Sequence, residues 1–259
     1  MHKDRQLAIN YDNIAGDYDR RYHKNASQGV LEALGSILSD FKPDMVLEVG
    51  CGTSHWLKSI NSYDAQYLIG LDKSLKMLKG GLQHDRLVLC QGEAENLPYP
   101  QRSFDFVFCV NALHHFSYPE KFIVETYRIL EKQGTIAIFG MDPSDARNRW
   151  YIYDFFKGTR ERDLFRFPNW SQVTDWILWA GFEPYWLSDI DLIHDPKSNG
   201  TVMEDPFLKK NACSQLALLS GKEYRTGIQK IRQNIHRTKN QGFTYPNDIV
   251  ISMLLALKS

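Results

Sequence analysis

Residues 46–54 read Val-Leu-Glu-Val-Gly-Cys-Gly-Thr-Ser, an apolar run that ends in two glycines one residue apart. Val46, Leu47 and Val49 suit a buried strand, and Gly50 and Gly52 lack the Cβ atoms that would hold a ligand away from the backbone of a turn. A dinucleotide fingerprint would continue to a third glycine, but His55 stands there. No GKS or GKT follows, so a nucleoside-triphosphate loop is excluded. Asp72 comes twenty residues after Gly52, closing the next apolar run, YLIGLD. An acid at that place accepts hydrogen bonds from the hydroxyls of a ribose lying across the strand ends, or caps a helix that starts near Ser74. Glycine turn and acid together point to a nucleoside-bearing ligand.

Outward from this segment, short apolar runs alternate with helical patterns. Strands are expected at 45–50, 67–72, 86–92, 104–111 and 135–140, and the alternation predicts a largely parallel sheet covered on both faces. Val30, Leu31, Leu34, Ile37, Leu38 and Phe41 recur at helical spacing, giving a helix over about 24–41 that Pro43 stops. Ser117 and Glu120 have capping-box spacing for a helix before the fifth strand, with Pro119 in its first turn and Gly134 beyond its end. Residues 141–168 hold seven aromatics among many charges and read as an irregular excursion. A helix at 170–180 ending at Gly181, a strand at 184–193, a long loop at 194–212, a helical stretch at 214–236 and a buried last strand complete the pattern.

Composition narrows the class. The 259 residues carry 31 Lys+Arg and 31 Asp+Glu, enough chain for one sizeable core and no net field to draw it onto nucleic acid or anionic lipid. Constitutive nucleic-acid binding is therefore disfavoured, although 197–239 holds nine Lys/Arg against three acids. The four cysteines, Cys51, Cys90, Cys109 and Cys213, form no CxxC pair, which suits free thiols in a reducing compartment. Neither a signal-peptide pattern nor a long apolar span is present, so a cytoplasmic chain without membrane insertion is expected.

With these blocks in place, YDNIAGDYD, VLEVGCGTS, LIGLDKSLKML, GEAENLPYPQRSFDFVFCVNALHHF and ILEKQGTIAIF, the chain resembles the class I S-adenosylmethionine-dependent methyltransferases, in particular the UbiE-like or type 11 small-molecule group. The resemblance covers roughly 11–140. It implies a doubly wound, Rossmann-like α/β fold with a mostly parallel seven-stranded sheet, a lid insertion after strand five and a helical insertion before the last strand. It implies S-adenosylmethionine as cofactor, S-adenosylhomocysteine as product, and Glu48 near the methionine amino end. Gly50, Cys51 and Gly52 would form the turn, Asp72 would hold the ribose, and Lys73, Leu75, Glu93 and Ala94 would border the adenine. Asn111, His114 and His115 would follow strand four on the acceptor side, and Tyr11 and Tyr18 would belong to an arm that closes over the cofactor. Many members read GCGTG where this chain has Ser54, a residue that fits if its φ is negative or the helix has already begun.

Methyl transfer from a sulfonium is an in-line displacement that needs alignment and exclusion of water. His114 and His115 are the candidate bases, or else His115 packs to hold the loop. Trp150, Tyr151, Tyr153, Phe155, Phe167 and Trp170 are expected to line the acceptor site, or to form the core of the lid itself. Arg147, Arg149, Arg160 and Arg162 stand ready to clamp an anion or to pair with nearby acids. Asp142, His194 and Asp195 give only weak support to a metal, and none is expected. The expected organisation is a single domain over 1–259: arm and helix at 1–42, cofactor core at 43–140, aromatic lid at 141–168, and loop with helical insertion at 194–240. The expected activity is methyl transfer to N, O or C of a small metabolite by a monomer or homodimer. A tRNA-modifying enzyme and a non-catalytic cofactor-binding protein are the alternatives.

Overall fold

The computed structural model describes residues 28–63, 65, 67–81, 87–239 and 241–259. The apolar runs form β1 (Met45–Val49), β2 (Tyr67–Asp72), β3 (Leu87–Gln91), β4 (Phe104–Val110) and β5 (Leu130–Gly140). These five are parallel, in the order β3-β2-β1-β4-β5. The last strand, β10 (Asn247–Lys258), runs antiparallel beside β5. Its other edge pairs along most of its length with β7 (Phe182–His194), also antiparallel. A two-residue strand, β6 (Arg149–Trp150), extends the β5 side of β10. The expected seven long strands are present, with β6 in addition.

Side chains alternate across the sheet, so each face has its own core. On one face Val46, Phe106, Phe108 and Leu255 pack against α1 (Gln28–Phe41) through Val30, Leu34, Ile37 and Leu38, and against α2 (His55–Ser59) through Trp56 and Leu57. The helix α3 (Leu75–Gly81) adds Leu78 there. On the other face Leu47, Val107, Ile136 and Leu254 pack on α4 (Pro119–Ile129) and α7 (Trp170–Ala180). The helix α7 ends at Gly181 as expected, in the left-handed region, and it opens on a capping box of Asn169 and Gln172 that the sequence reading did not single out.

Two expectations fail locally. The Ser117–Glu120 box does not form, because Tyr118 is the N-cap and Glu95 Oε1 accepts from the amides of Ser117 and Tyr118 at 2.5 and 3.2 Å. A carboxylate from the β3–β4 connection satisfies those amides before a local side chain does. The fifth strand begins at Leu130, straight from the end of α4, well before Gly134.

The excursion at 141–168 is more regular than expected. It contains β6, α5 (Tyr151–Phe155) and α6 (Thr159–Arg166). The expected loop at 194–212 holds β8 (Lys197–Ser198), paired with β9 (Thr244–Tyr245), and two single 3-10 turns. The helical stretch divides into α8 (Ser214–Ala217) and α9 (Gly221–Arg237), the latter opened by a Ser220–Glu223 capping box. These elements share a third core, with Trp150, Tyr151, Ile152, Phe156, Leu216, Ile231 and Tyr245 at its centre.

Candidate functional site

The carboxyl ends of the parallel strands are held together by backbone amides. Gly50 N and Cys51 N donate to Leu71 O at 2.8 and 3.1 Å, and Gly52 N donates to Asp72 Oδ2 at 2.8 Å. The last two residues of β2 thus take three successive amides of the turn after β1. Asp72 Oδ1 accepts from Ser74 N at 2.8 Å, while Ser74 Oγ accepts from Met77 N at 3.2 Å. Ser74 therefore caps α3, and Asp72 braces the turns on either side of it. A carboxylate oxygen can accept more than one hydrogen bond, so bracing the turns does not itself preclude contact with sugar hydroxyls.

The turn needs its glycines. Gly50 has φ +76°, and a Cβ there would lie 2.5 Å from the Cβ of Ala112 in the β4 loop; Gly52 has φ +55°. Ser54 departs from expectation: it is buried, with φ +63°, so it precedes α2 in the left-handed region instead of sitting in a helical turn. Cys51 is buried in the core, and its thiol pKa is pushed well up by burial and then by the Glu48 and Asp72 charges. Only its backbone serves the turn.

Glu48 closes the base of the site. It is 1% exposed, and its Oε2 has no hydrogen-bond partner. Burial first, and the Asp72 carboxylate second, raise its pKa well above the usual range, with a Leu57 amide opposing. A buried carboxylate oxygen without a donor suits a cationic or ammonium-bearing ligand. Lys73 and Glu93, from the ends of β2 and β3, form an exposed ion pair at 2.8 Å. Leu75 is exposed beside them, whereas Ala94 buries its methyl in the core and offers only backbone.

Asn111 ends β4 with φ +49° and its amide on Phe139 O at 2.9 Å. His114 and His115 follow in a single 3-10 turn, their rings 3.8 Å apart. Arg166 Nη2 lies 3.2 Å from His115 Nδ1, and Phe167 stacks on His114. Tyr11 and Tyr18 fall outside the described residues.

The aromatics divide between two roles. Tyr151, expected to line the acceptor site, is instead wholly buried, its hydroxyl donating to Asp205 Oδ2 at 2.8 Å. Trp150 and Phe155 belong to the same core, and Tyr153 donates to Asp163. These rings pack on one another and on apolar side chains of α5, α8 and α9. Phe167 stacks on His114, and Trp170 packs against the α4–α7 core with its indole Nε1 buried and unpartnered.

Arg147 pairs with Asp145 and Asp189, both at 2.6 Å, and Arg162 pairs with Glu223 at 2.9 Å. His194 is paired with Asp248 and Asp142 with Ser144; among the described residues no group of three acids, histidines or cysteines is placed to hold a metal. Sequence reading missed Arg166 and the buried role of Asp163, whose only local signal is their i,i+3 spacing in α6.

The strand order, the glycine turn and the acid closing β2 make a Rossmann-like core with its candidate ligand site at the carboxyl ends of the parallel strands. Residues 47–138 match the family described as a methyltransferase domain. The chain is 35% identical over 97 residues to an uncharacterized methyltransferase, YcgJ, of Bacillus subtilis, covering 34% of this chain and 37% of that protein. It is 32% identical over 123 residues to a demethylmenaquinone methyltransferase of Oceanobacillus iheyensis, covering 44% and 52%. The chain thus spans about a third to a half of the length of these curated relatives. The crystal structure of YcgJ from Bacillus subtilis superposes with a TM-score of 0.61 over 88% of this chain and 98% of that one, at 18% identity, a likeness of fold. No helix among the described residues is long and apolar enough to cross a membrane.

Proposed function

We propose that the protein transfers a methyl group from S-adenosylmethionine to an N, O or C atom of a small organic metabolite, as a cytoplasmic monomer or homodimer. The observation that carries this reading is the Leu71–Asp72 brace on Gly50, Cys51 and Gly52, with the unpartnered Glu48 oxygen beneath it. The cofactor, when bound, supplies an electrophilic methyl on a sulfonium. Asp72 then holds the ribose hydroxyls, Glu48 meets the amino end, and Lys73, Leu75, Glu93 and the Ala94 backbone border the adenine. Two carboxylates at the strand ends favour a cationic ligand. Asn111, His114 and His115 border the acceptor. Since His115 Nδ1 faces an arginine, any proton-accepting role falls to His114. Residues 43–140 act as the cofactor core, and the aromatic layer from 141–168 and 194–240 covers the acceptor side.

A tRNA-modifying activity is the second reading, favoured by the exposed cations Lys222, Arg225, Lys230, Arg232 and Arg237 along α9. Formation of S-adenosylhomocysteine from a pool of small metabolites, compared with bulk unmodified tRNA, separates the two. Turnover with RNA alone overturns the first reading, and cofactor binding without turnover on either supports a non-catalytic protein.

A further inference from the structure

Two consecutive residues at the end of α6 grip two consecutive residues of the β4 loop. Arg166 Nη2 meets His115 Nδ1 at 3.2 Å, and the Phe167 ring lies on His114 with centroids 3.7 Å apart and planes 11° from parallel. Arg166 is 3% exposed, and its Nη1 pairs at 3.4 Å with Asp163 Oδ1, on a carboxylate with no exposure. The other oxygen of Asp163 accepts from the Tyr153 hydroxyl at 2.8 Å and from Gln215 Nε2 at 2.6 Å. Contacts therefore run without a break from α5 and α8, through Asp163 and Arg166, into the loop that borders the acceptor.

The chemistry of this chain has a direction. A guanidinium donates at every nitrogen and accepts at none, and it stays charged at any pH a folded protein tolerates. The His115 Nδ1 facing it must therefore offer a lone pair, which leaves the proton of the neutral imidazole on Nε2. A buried ion pair adds little stability over apolar packing of the same volume, so the Asp163–Arg166 pair is better understood as a device of orientation. Tyr153 and Gln215 hold the carboxylate, the carboxylate holds the guanidinium, and the guanidinium sets the ring.

We propose that Arg166 is a positioning residue that acts through His115, fixing it as the Nε2–H tautomer and pinning the β4 loop to the aromatic layer, so that His115 presents a hydrogen-bond donor and not a base. For its effect on rate the proposal rests on the methyltransferase reading. Its effect on the tautomer does not.

Nitrogen-15 NMR of histidine-labelled protein at about pH 8, where a histidine of ordinary pKa is neutral, reads the tautomer directly. Wild-type protein is expected to show His115 protonated at Nε2 with a bare Nδ1. Arg166→Met is expected to shift the proton toward Nδ1 and to lower kcat at least tenfold, with affinity for S-adenosylhomocysteine within twofold of wild type. Arg166→Lys, which keeps a charged donor, is expected to recover the tautomer and part of the rate. A wild-type His115 protonated at Nδ1 overturns the proposal, and that spectrum requires no variant to fold. An unchanged tautomer or an unchanged kcat in Arg166→Met overturns it as well. Protein that binds no S-adenosylhomocysteine, yet keeps the Nε2–H tautomer, contradicts the methyltransferase reading alone.

Discussion

Asp72 and Gly52 are twenty residues apart in the chain, and a carboxylate oxygen of one lies 2.8 Å from the amide nitrogen of the other. That contact fixes the turn from outside. Left-handed backbone at Gly50 and Gly52 is set before any ligand arrives, so binding does not have to bear the cost of ordering it. The residue that shapes the turn is also the one proposed to hold the sugar.

Glu48 makes stability depend on pH. In the unfolded chain it ionises near its ordinary value, about 4.3, whereas burial and Asp72 raise it well above that in the fold. As pH rises past the unfolded value, the unfolded state releases a proton that the folded state keeps, and stability falls until the folded pKa is passed. Glu48→Gln removes this slope, so the variant should gain in melting temperature relative to wild type as pH rises from about 4 to about 8. Parallel melting curves for the two proteins across that range would contradict the upward shift that burial gives Glu48.

Ser54 occupies backbone that suits glycine. A left-handed non-glycine residue costs about 1–2 kcal/mol, and the added chain entropy of glycine returns about 0.5–1 kcal/mol of that. Ser54→Gly should therefore stabilise the protein by about 0.5–1 kcal/mol in urea unfolding. A loss of stability would mean that the Ser54 side chain contributes more than its strain removes.

Tyr151 separates a packing role from a substrate role. Tyr151→Phe leaves Asp205 Oδ2 without its buried donor and should cost about 1–3 kcal/mol of stability. KM for the acceptor should stay within about twofold, since the ring lies inside its own core. A raised KM with unchanged melting would return Tyr151 to the acceptor site.

His114 is tested by the acceptor's own chemistry. With an acceptor that must lose a proton as it is methylated, His114→Ala should lower kcat by about 10²-fold or more. With an acceptor that is already anionic or an unprotonated amine, the loss should be within about tenfold, reflecting alignment alone. Equal losses on both would remove the proton-accepting role.

Much of the sheet was legible because buried parallel strands leave near-continuous apolar runs, and α7 because a helical run from Trp170 stops at Gly181. Identical local signals did not give identical structures. Ser117–Glu120 and Ser220–Glu223 share one spacing, yet only the second forms a capping box. What differs is Glu95, a carboxylate from more than twenty residues upstream that takes the amides at the first site. Tyr151 posed the same difficulty in another form, since an aromatic that roofs a ligand and one that fills a small core have the same composition around them. In the candidate site, the glycine turn and Asp72 could be read from spacing along two adjacent strands. The His115–Arg166 contact could not, because its partners are 51 residues apart and meet only when α6 folds back over the β4 loop.

Calorimetric titration of S-adenosylhomocysteine into wild-type protein and into Asp72→Asn tests the central claim most directly. The account predicts saturable one-to-one binding by the wild type, weakened at least about tenfold in the variant by loss of a charged acceptor worth about 1.5–3 kcal/mol. A folded wild type that gives no binding heat at any temperature tried, and stays unchanged in melting on addition of the ligand, would contradict it, as would equal affinity in the two proteins.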